Sequence, residues 1–369
     1  MQNLSYAKIV EIKKIASNFC ICDGEITHVI PINVGKTNAT YKIVVSHDDD
    51  TTSYMLQKIN TKVFKNVDLM MSNAIKVTEH LRRKGFYTLE FVLNKNDNSP
   101  IYKISSGTYR MTKFIHAEVF QTISRPKDMQ MLGTAVGNFL VGVSDFNTNE
   151  LEDTIPNFHN TRNRFDDCIL SALNYMLNNE KEKINRSRED LNFVIKNHSI
   201  VGIIVDALER GDIPTRITHN DTKISNVLFD RKTNTPRCMI DLDTVMRGSP
   251  LYDIADAIRS GANTHSGQER EYKKARIDLE LLKEFLIGFE KGAPGMLNEK
   301  EKELLPVALK IIPLELGMRY LTDYYNGNKY FNVSYEDQNL YRARLQFAIV
   351  KDINSNLGLI REVIDETIS

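Results

Sequence analysis

The residues best suited to chemistry lie in two short polar clusters between positions 217 and 259. Asp221 is followed five positions later by Asn226, and Asp241 comes fifteen positions after Asn226. A carboxylate can accept the proton of a hydroxyl group, and carboxylate and amide oxygens suit a hard ion such as Mg²⁺. These residue types predict that Asp221 orients and deprotonates an attacking hydroxyl while Asn226 and Asp241 hold a metal ion.

The elements around these residues predict that they converge. An apolar run, 227–229, follows Asn226 directly, and the turn-rich spacer RKTNTPR precedes the segment MIDLD. Two strands joined by such a spacer form a hairpin, which brings the end of the second strand beside the loop that opens the first. A solvated hairpin with ordinary Asp and Asn turn residues is the alternative. The ordered set favours chemistry: His219, Asp221, Lys223, Asn226, Asp241 and Asp243.

The spacing D-x-x-x-x-N is that of the kinase catalytic loop, and Asp241 takes the place of the metal-binding Asp of D-F-G, although the sequence here is D-L-D. Phosphoryl transfer depends on positioning and on neutralising phosphate charge, so Lys223 is expected near the transferring phosphate. Asn220 stands where protein kinases have an Arg. This difference disfavours a protein substrate.

The segments HNDTKISNVLFD, CMIDLDTVMRG and YDIADAIR resemble the aminoglycoside phosphotransferase and choline kinase superfamily, and within it the N-acetylhexosamine 1-kinase type. The resemblance implies a two-lobed, kinase-like α/β (α+β) fold, with an N-terminal antiparallel-sheet lobe and a larger, mainly helical C-terminal lobe. It implies ATP and Mg²⁺ as cofactors and a small-molecule acceptor. It also implies that Asp256 braces the catalytic loop and that Asp243 is a second metal or substrate ligand.

The expected reaction transfers the γ-phosphate of ATP to the anomeric hydroxyl of an N-acetylhexosamine. Transfer to another sugar, to a choline-like amino alcohol or to an aminoglycoside remains open. A non-catalytic, pseudokinase-like nucleotide-binding module is a further alternative. Such a module is expected to lack Asp221, Asn226 or Asp241, and all three are present.

Residues 1–114 are expected to form the N-terminal nucleotide-binding lobe. Helical spacing over 5–18 and 66–84, and β-type runs over 27–32, 40–45, 53–59, 87–93, 101–105 and 109–115, predict a sheet with two helices. The turn PINVGKTNATYKI takes the place of a Gly-rich loop, so Asn33, Gly35 and Asn38 are expected to bind the nucleotide. A Walker A motif is excluded because Ile30 stands where its first Gly is needed.

Three further positions in this lobe are expected to serve the nucleotide. Lys58, on the third strand, corresponds to the phosphate-binding lysine of kinases, and Glu79 is its expected partner on the helix. A solvated lysine and an i, i+3 pair of Glu79 with Arg82 are the alternatives. Backbone groups from Thr112 to Phe114 are expected to face the adenine, because a linker strand between lobes presents unpaired amides.

Residues 115–369 are expected to form the C-terminal catalytic and acceptor-binding lobe. Apolar spacing predicts helices over 127–145, 162–179, 187–210, 270–291, 299–325 and 335–366. The segments IPNFHNTRNRF and LGMRYLTDYYNGNKYF resemble stretches of the N-acetylhexosamine 1-kinase group and combine polar and aromatic residues, as sugar sites do. Four of their residues are expected to line the acceptor pocket: His159, Arg162, Arg319 and Asp323. Helix capping and inter-helix contacts are the alternative.

Composition limits the class of protein. The 369 residues include 48 basic and 48 acidic side chains, so no bulk charge favours nucleic acid or an anionic membrane. Four scattered cysteines are too few for a disulfide framework, and no apolar run has the length of a signal peptide or a membrane span. We therefore expect a cytoplasmic enzyme, a monomer or weak homodimer, whose partners are ATP and a small-molecule substrate.

Overall fold

The computed structural model describes residues 4–32, 38–48, 50–178, 181–233 and 235–368. The chain forms two compact units. The first comprises Met1–Glu118 with Phe229–Asn234, and the second comprises Val119–Leu228 with Thr235–Ser369.

The first unit is built on an antiparallel six-stranded sheet flanked by helices. Its elements in chain order are α1 (Tyr6–Ala16), β1 (Glu25–Ile32), β2 (Ala39–His47), β3 (Asp50–Lys58), α2 (Val67–Arg83), β4 (Phe91–Val92), β5 (Ile101–Ile104) and β6 (Gly107–Lys113). Strands follow the order β1-β2-β3-β6-β4, and β5 also pairs with β6. The predicted antiparallel sheet is therefore confirmed, although the run 87–93 forms only the two-residue strand β4.

One face of this sheet builds the core of the first unit. Alternate residues of β2 and β3, including Ile43 and Leu56, are fully buried. They pack against Ile12 and Ile15 on the apolar stripe of α1 and against Phe19 beyond it. The period of two in the strands and the helical spacing in α1 thus meet in one apolar layer.

The second unit is mainly helical. Its elements are α3 (Pro126–Gly142), α4 (Thr161–Leu177), α5 (Lys181–Lys196), α6 (Ile203–Glu209), β7 (Arg216–Thr218), β8 (Val227–Phe229), β9 (Pro236–Met239), β10 (Met246–Gly248), α7 (Pro250–Gly261), α8 (Leu279–Gly292), α9 (Glu299–Tyr325), α10 (Gln338–Ser355) and α11 (Leu357–Thr367). β7 pairs with β10 and β8 pairs with β9, which gives two small antiparallel ribbons among the helices. Phe229, at the end of β8, is the first residue of the segment Phe229–Asn234 that belongs to the first unit. It exchanges two backbone hydrogen bonds with Glu118, both 2.9 Å.

Three predicted helices are shorter than the apolar spacing indicates. The run 187–210 divides into α5 and α6, and 335–366 divides into α10 and α11 at Asn356. The helix predicted from 270 begins only at Leu279, because the Asp278 carboxylate accepts the amides of Glu280 and Leu281 and caps α8 there. Asp and Asn side chains can bond to backbone groups that would otherwise continue a helix. The spacing of apolar residues does not predict where such a bond forms.

Among the described residues, no single helix has the length and apolarity that a membrane crossing needs. The bent pair Lys181–Lys196 and His198–Glu209 meets that test by length and composition alone.

Candidate active site

The catalytic-loop candidate follows β7 and runs into β8. Asn220 adopts a left-handed backbone with φ of 64°, a conformation that Asn tolerates better than most residues. Its Nδ2 donates to the Thr244 carbonyl at 2.8 Å, and its Oδ1 accepts from Thr218 Oγ1 at 3.0 Å. Asn220 thus fixes the turn that leads into Asp221.

Three predicted residues of this loop meet at the Asp221 carboxylate. Lys223 Nζ lies 2.7 Å from Asp221 Oδ2, and Asn226 Nδ2 donates to the same oxygen at 2.8 Å. Asn226 Nδ2 also donates to the Asp221 backbone carbonyl at 2.9 Å. Since the amide nitrogen is used in this way, Asn226 Oδ1 is turned away from Asp221. The Asp221 carboxylate, about 30% exposed, is held in one orientation and is still open to solvent.

The hairpin of β8 and β9 brings the second cluster to the first. Ile240 N donates to the Asn226 carbonyl at 2.8 Å, so Asp241 follows immediately beside the catalytic loop. Asp241 itself has φ of 64° and ψ of 53°, a backbone conformation that costs free energy in a residue other than Gly. The sequence prediction that a hairpin returns Asp241 to Asn226 agrees with this geometry.

His219 connects the catalytic loop to the hairpin through both nitrogens of its ring. Its Nε2 lies 2.9 Å from the Ile240 carbonyl, and its Nδ1 accepts the amide of Asp221 at 3.3 Å. A carbonyl only accepts, so Nε2 carries the proton and the ring is neutral. Burial lowers the pKa of His219, which agrees with this assignment. Its role is to position Asp221 and Asp241.

Two carboxylates of α7 hold the loop by its backbone amides. Asp253 accepts His219 N at 2.8 Å and Asn220 N at 2.7 Å, while Asp256 accepts Thr222 N at 3.1 Å. Burial raises the pKa of Asp253 to about 7. Sequence reasoning assigned bracing to Asp256 and missed that Asp253 does more of it. The three-residue spacing on one helical face was the available signal.

The charges of Asp256 and Lys223 are kept by their ion pairs. Burial opposes the charge of Asp256, but Arg259, at 2.6 Å, outweighs it and lowers the pKa of that carboxyl. Burial likewise opposes the charge of Lys223, but Asp221, and more weakly Asp241, raise its pKa. Lys223 is therefore a cation beside Asp221, the predicted proton acceptor, and near Asp241, a predicted metal ligand.

The donor set fits Mg²⁺ better than a transition metal. In the part of the chain that the structure describes, no three or more His, Cys, Asp or Glu side chains are grouped to hold a metal ion. Asn226 and Asp241 supply one amide and one carboxylate, and a hard ion bound to nucleotide completes its coordination with phosphate and water oxygens. Asp243 is only 2% exposed, which sets it apart from the open Asp221 carboxylate.

Only part of the predicted nucleotide-binding loop lies within the described residues. Asn33 and Gly35 lie outside the described residues. The Asn38 side chain accepts the amide of Asn60 at 2.9 Å, which ties the end of the turn to the segment after β3. Nucleotide binding by these three residues stays a prediction.

Lys58 and Glu79 are not brought together. Lys58 shares its face of β3 with Leu56, which packs on the α1 side, and it lies against Gly107. On the opposite face, Arg110 donates to Gln57 at 2.9 Å and contacts Met71 of α2. The predicted pair was wrong because α2, which carries the exposed Glu79, packs against the Gln57 face.

The predicted hinge residues lie in the paired part of the sheet. Thr112 of β6 is paired with Met55 on one side and Phe91 on the other. The Phe114 amide donates to the Ser53 carbonyl at 3.0 Å, so it is not an unpaired amide as expected. Contact of Thr112 and Phe114 with the nucleotide stays a prediction.

Two of the four predicted acceptor residues belong to one charged cluster. His159 Nδ1 lies 3.2 and 3.1 Å from the two carboxylate oxygens of Glu315. Arg319, one helical turn further along α9, lies 3.9 Å from Glu315 and stacks over the Phe158 ring at 5.0 Å. Sequence reasoning missed Glu315, because nothing local links it to a histidine 156 positions earlier.

The other two predicted acceptor residues have structural partners. Arg162 forms ion pairs with Asp206 and Glu209 of α6. Asp323 is buried and accepts the amides of Lys329, Tyr330 and Phe331 at 2.8 to 2.9 Å, which fixes the loop after α9. The alternative given by the sequence therefore describes both residues: Arg162 makes inter-helix contacts and Asp323 binds the backbone of a loop.

A cavity of about 230 Å³ adjoins the catalytic loop within the second unit. Its lining includes Asn220, His159, Tyr252 and Arg247, but not the predicted acceptor residues Arg162, Arg319 and Asp323. Polar groups and aromatic faces around a small concave space are the surroundings that polyhydroxylated ligands require.

Solved structures share this architecture. An aminoglycoside phosphotransferase from Alicyclobacillus acidocaldarius matches with a TM-score of 0.61 and 15% identity, covering 99% of this chain and 98% of that chain. A choline kinase from Cryptosporidium parvum matches with a TM-score of 0.58 and 12% identity over 97% and 98% of the two chains. A spectinomycin phosphotransferase in complex with ADP and spectinomycin matches with a TM-score of 0.55 and 12% identity over 94% and 98%. At these identities the likeness shows the fold.

The family follows from the sequence match. The model of the phosphotransferase enzyme family (APH) matches residues 28–285, a span that runs from the first sheet strand into α8. The matched span includes the catalytic loop, the hairpin that carries Asp241 and the α7 carboxylates that brace them. Because the match covers well over half of the chain, this protein belongs to the phosphotransferase enzyme family and has its kinase-like fold.

Proposed function

We propose that this protein transfers the γ-phosphate of ATP to a hydroxyl of a sugar, the anomeric hydroxyl of an N-acetylhexosamine. The observation that carries the phosphotransfer part is the Asp221 carboxylate, which Lys223 and Asn226 hold at 2.7 and 2.8 Å while it stays open to solvent. An ordinary solvated turn does not require Lys223, Asn226 and Asp221 to be bonded to one another, nor two buried aspartates to hold the backbone amides of that turn.

Each residue has a defined part in the transfer. Asp221 orients the acceptor hydroxyl and accepts its proton as the oxygen bonds to the γ-phosphorus. The bond between that phosphorus and the bridging oxygen of the diphosphate breaks, and ADP leaves with the electron pair. Lys223, a cation beside Asp221, offsets negative charge on the transferring group.

Asn226 and Asp241 are the residues that would hold Mg²⁺. A bound Mg²⁺ neutralises phosphate charge. Asp241 has a left-handed backbone and follows Ile240, whose carbonyl faces His219 Nε2, and the Asn226 amide is oriented by its bond to the Asp221 carbonyl.

The sugar part of the proposal is supported by the acceptor side of the second unit. The cavity beside Asn220 combines His159 and Arg247 with the aromatic faces of Phe158 and Tyr252. An anomeric hydroxyl is more acidic than an ordinary alcohol, so its proton is transferred more easily to a carboxylate such as that of Asp221. Similar solved structures include a choline kinase and an aminoglycoside phosphotransferase, so amino alcohols and aminoglycosides belong in the test.

The test measures ADP formation by the purified protein with ATP and Mg²⁺ against a panel of acceptors: N-acetylglucosamine, N-acetylgalactosamine, glucose, galactose, choline and kanamycin. Asp221→Asn is expected to lower kcat by ~10²–10⁴-fold, because it removes the proton acceptor and leaves the shape. Asp365→Asn, on the exposed surface of α11, is the matched control and should retain full turnover.

The outcomes separate the two parts of the proposal. Turnover of the acetylated hexosamines that disappears in Asp221→Asn supports both, and phosphorus NMR of the product identifies the position phosphorylated. Turnover of choline or kanamycin alone would reject the sugar acceptor and keep the phosphotransferase chemistry. ATP binding without turnover of any acceptor would favour a non-catalytic nucleotide-binding module.

A further inference from the structure

One buried nitrogen in the cavity beside the catalytic loop has no partner. Among the described residues, five buried side-chain atoms lack a hydrogen bond, and His159 Nε2 is the one that belongs to a residue lining this cavity. The His159 side chain is only 12% exposed. An unpaired buried polar atom costs free energy, so its persistence beside a cavity indicates that a ligand or ordered water pairs with it.

The other ring nitrogen determines what kind of partner Nε2 takes. Nδ1 faces both oxygens of Glu315, at 3.2 and 3.1 Å, and a carboxylate only accepts hydrogen bonds. A ring that holds a single proton therefore carries it on Nδ1, and Nε2 then presents its lone pair. Arg319 lies 3.9 Å from Glu315, so the same carboxylate also faces a guanidinium group.

The ring is also held in position. Tyr252 lies against it with centroids 4.7 Å apart, and Phe158 packs edge-on at 4.6 Å. Phe158 is in turn covered by the guanidinium of Arg319. The rings of Phe158 and Tyr252 and the buried Glu315 carboxylate together fix the orientation of the His159 ring, and with it the direction of the Nε2 lone pair.

We propose that His159 reads the acceptor through this lone pair: Nε2 accepts a hydrogen bond from a hydroxyl or amide N–H of the small molecule that occupies the cavity. The Glu315–His159 pair thereby selects acceptors that carry a hydrogen-bond donor at this point, and it discriminates against analogues with hydrogen, an ether or a carbonyl oxygen there. His159 is a specificity-determining residue, and Glu315 is the positioning residue that sets its tautomer. The identity of the acceptor as a sugar rests on the proposed function, whereas the polarity of the hydrogen bond does not.

The first measurement tests the tautomer without any substrate. Long-range ¹H–¹⁵N correlation spectra of protein labelled with ¹⁵N-histidine distinguish a protonated from an unprotonated ring nitrogen, and His159→Gln identifies the signal by its loss. We expect a protonated Nδ1 and an unprotonated Nε2 at neutral pH. A proton on Nε2 would overturn the inference.

The second measurement tests recognition. Initial rates are compared between the turned-over sugar and its deoxy analogues, each lacking one hydroxyl. We expect one analogue to lose about tenfold or more in kcat/KM with the wild-type enzyme, and that same analogue to lose nothing further in His159→Leu. His159→Gln, whose side-chain carbonyl can accept in place of Nε2, should restore part of the preference, and the effect should lie mainly in KM. His198→Gln, an exposed histidine outside the cavity, is the control.

The two failures are distinguishable. Sugar turnover with the same deoxy profile in wild type and His159→Leu would overturn the inference and leave the proposed function standing. Absence of sugar turnover together with the expected tautomer would reject the sugar acceptor. In that case the same comparison is made with the acceptor that is turned over and its analogue lacking the hydroxyl or N–H donor.

Discussion

At the scale of single residues, the site is organised by backbone conformations that side chains pin down. Asn220 and Asp241 both have φ of 64°. The Asn220 side chain is bonded to Thr218 and Thr244, and the residue before Asp241 is bonded to His219 and Asn226. Such residues persist where the surroundings over-determine them, and they concentrate at functional sites. The hydrogen bonds of His219 to Ile240 and to the Asp221 amide link the two positions.

Asp253 is a strongly perturbed titratable group of this network. Burial raises its pKa to about 7 from 3.8, the backbone amides of His219 and Asn220 counteract that rise, and Asp256 adds to it. The folded protein therefore binds a proton that the unfolded chain releases between about pH 4 and pH 7. The stabilisation that Asp253 supplies is fully present below its unfolded pKa and is lost as pH rises through its folded pKa.

This predicts a pH-dependent difference between wild type and Asp253→Asn. The variant removes the titration, and its amide group faces one of the two N–H donors, which costs ~1–3 kcal/mol. The difference in unfolding free energy should be larger near pH 5 than near pH 8, measured by urea denaturation at both values. An equal difference at the two pH values would show that Asp253 is ionised at both, and Asp365→Asn should show no difference from wild type at either pH.

At the scale of elements, the second unit depends on one unusually close helix pair. A Cβ at Gly133 of α3 would lie 2.1 Å from the Phe285 carbonyl, and one at Gly288 of α8 would lie 1.9 Å from the Gln130 carbonyl. Thr134 Oγ1 also donates to the Gly288 carbonyl at 3.1 Å. The two helices thus pack backbone against backbone, and α3 at the same time contacts the His219 ring through Phe139.

Gly288→Ala should separate these helices. Because the obstructing atom is backbone and cannot rotate aside, we expect a loss of about 1–3 kcal/mol or more in unfolding free energy, measured by chemical denaturation. Gly358→Ala in α11 is the matched control: no atom lies within 4 Å of its Cβ position, and the change should be neutral or stabilising by about 0.5–1 kcal/mol. Equal effects of the two substitutions would contradict the close packing described above.

The strand β3 shows how an element limits what a residue can do. Lys58 and Gln57 are neighbours, yet their side chains leave opposite faces of the sheet. The α2 side of β3 presents Gln57 and the buried Arg110, and Lys58 lies on the α1 side. A motif alone therefore does not identify the phosphate-binding lysine, because the face of β3 against which α2 packs must also be known.

At the scale of the whole molecule, family membership predicts coupling of stability to nucleotide. A ligand that binds only the folded protein adds about 2.7 kcal/mol at a free concentration one hundred times its Kd. We expect ATP with Mg²⁺ to raise the thermal unfolding temperature by several degrees, measured by calorimetry. Chelation of the metal should reduce this rise, because Asn226 and Asp241 are the residues that would hold Mg²⁺ and the ion would neutralise phosphate charge there.

Asp241→Asn provides the matched variant for this prediction. It should show a smaller Mg²⁺-dependent rise with ATP while its unfolding temperature without nucleotide stays close to that of wild type. An Mg²⁺-dependent rise equal to that of wild type would argue against Asp241 as a metal ligand.

Much of the site was predictable from sequence because its parts are local. Asp221, Lys223 and Asn226 lie within six positions, and a single short hairpin adds Asp241. The helices and strands were predictable for the same reason, since periods of two and 3.6 are properties of neighbouring residues. Where a helix was predicted too long, a local Asp or Asn bond to the backbone ended it.

The tertiary structure alone decided which long-range partner each polar residue found. Arg162 pairs with α6, Asp323 anchors a loop, and His159 meets Glu315 from 156 positions away. These side chains are equally suited to a ligand or to a neighbouring helix, and only the packing of α4, α6 and α9 determines which is within reach. The sequence by itself therefore determined the fold class and the catalytic loop, whereas the acceptor side and the partner of Lys58 depended on the direction in which packed elements point their side chains.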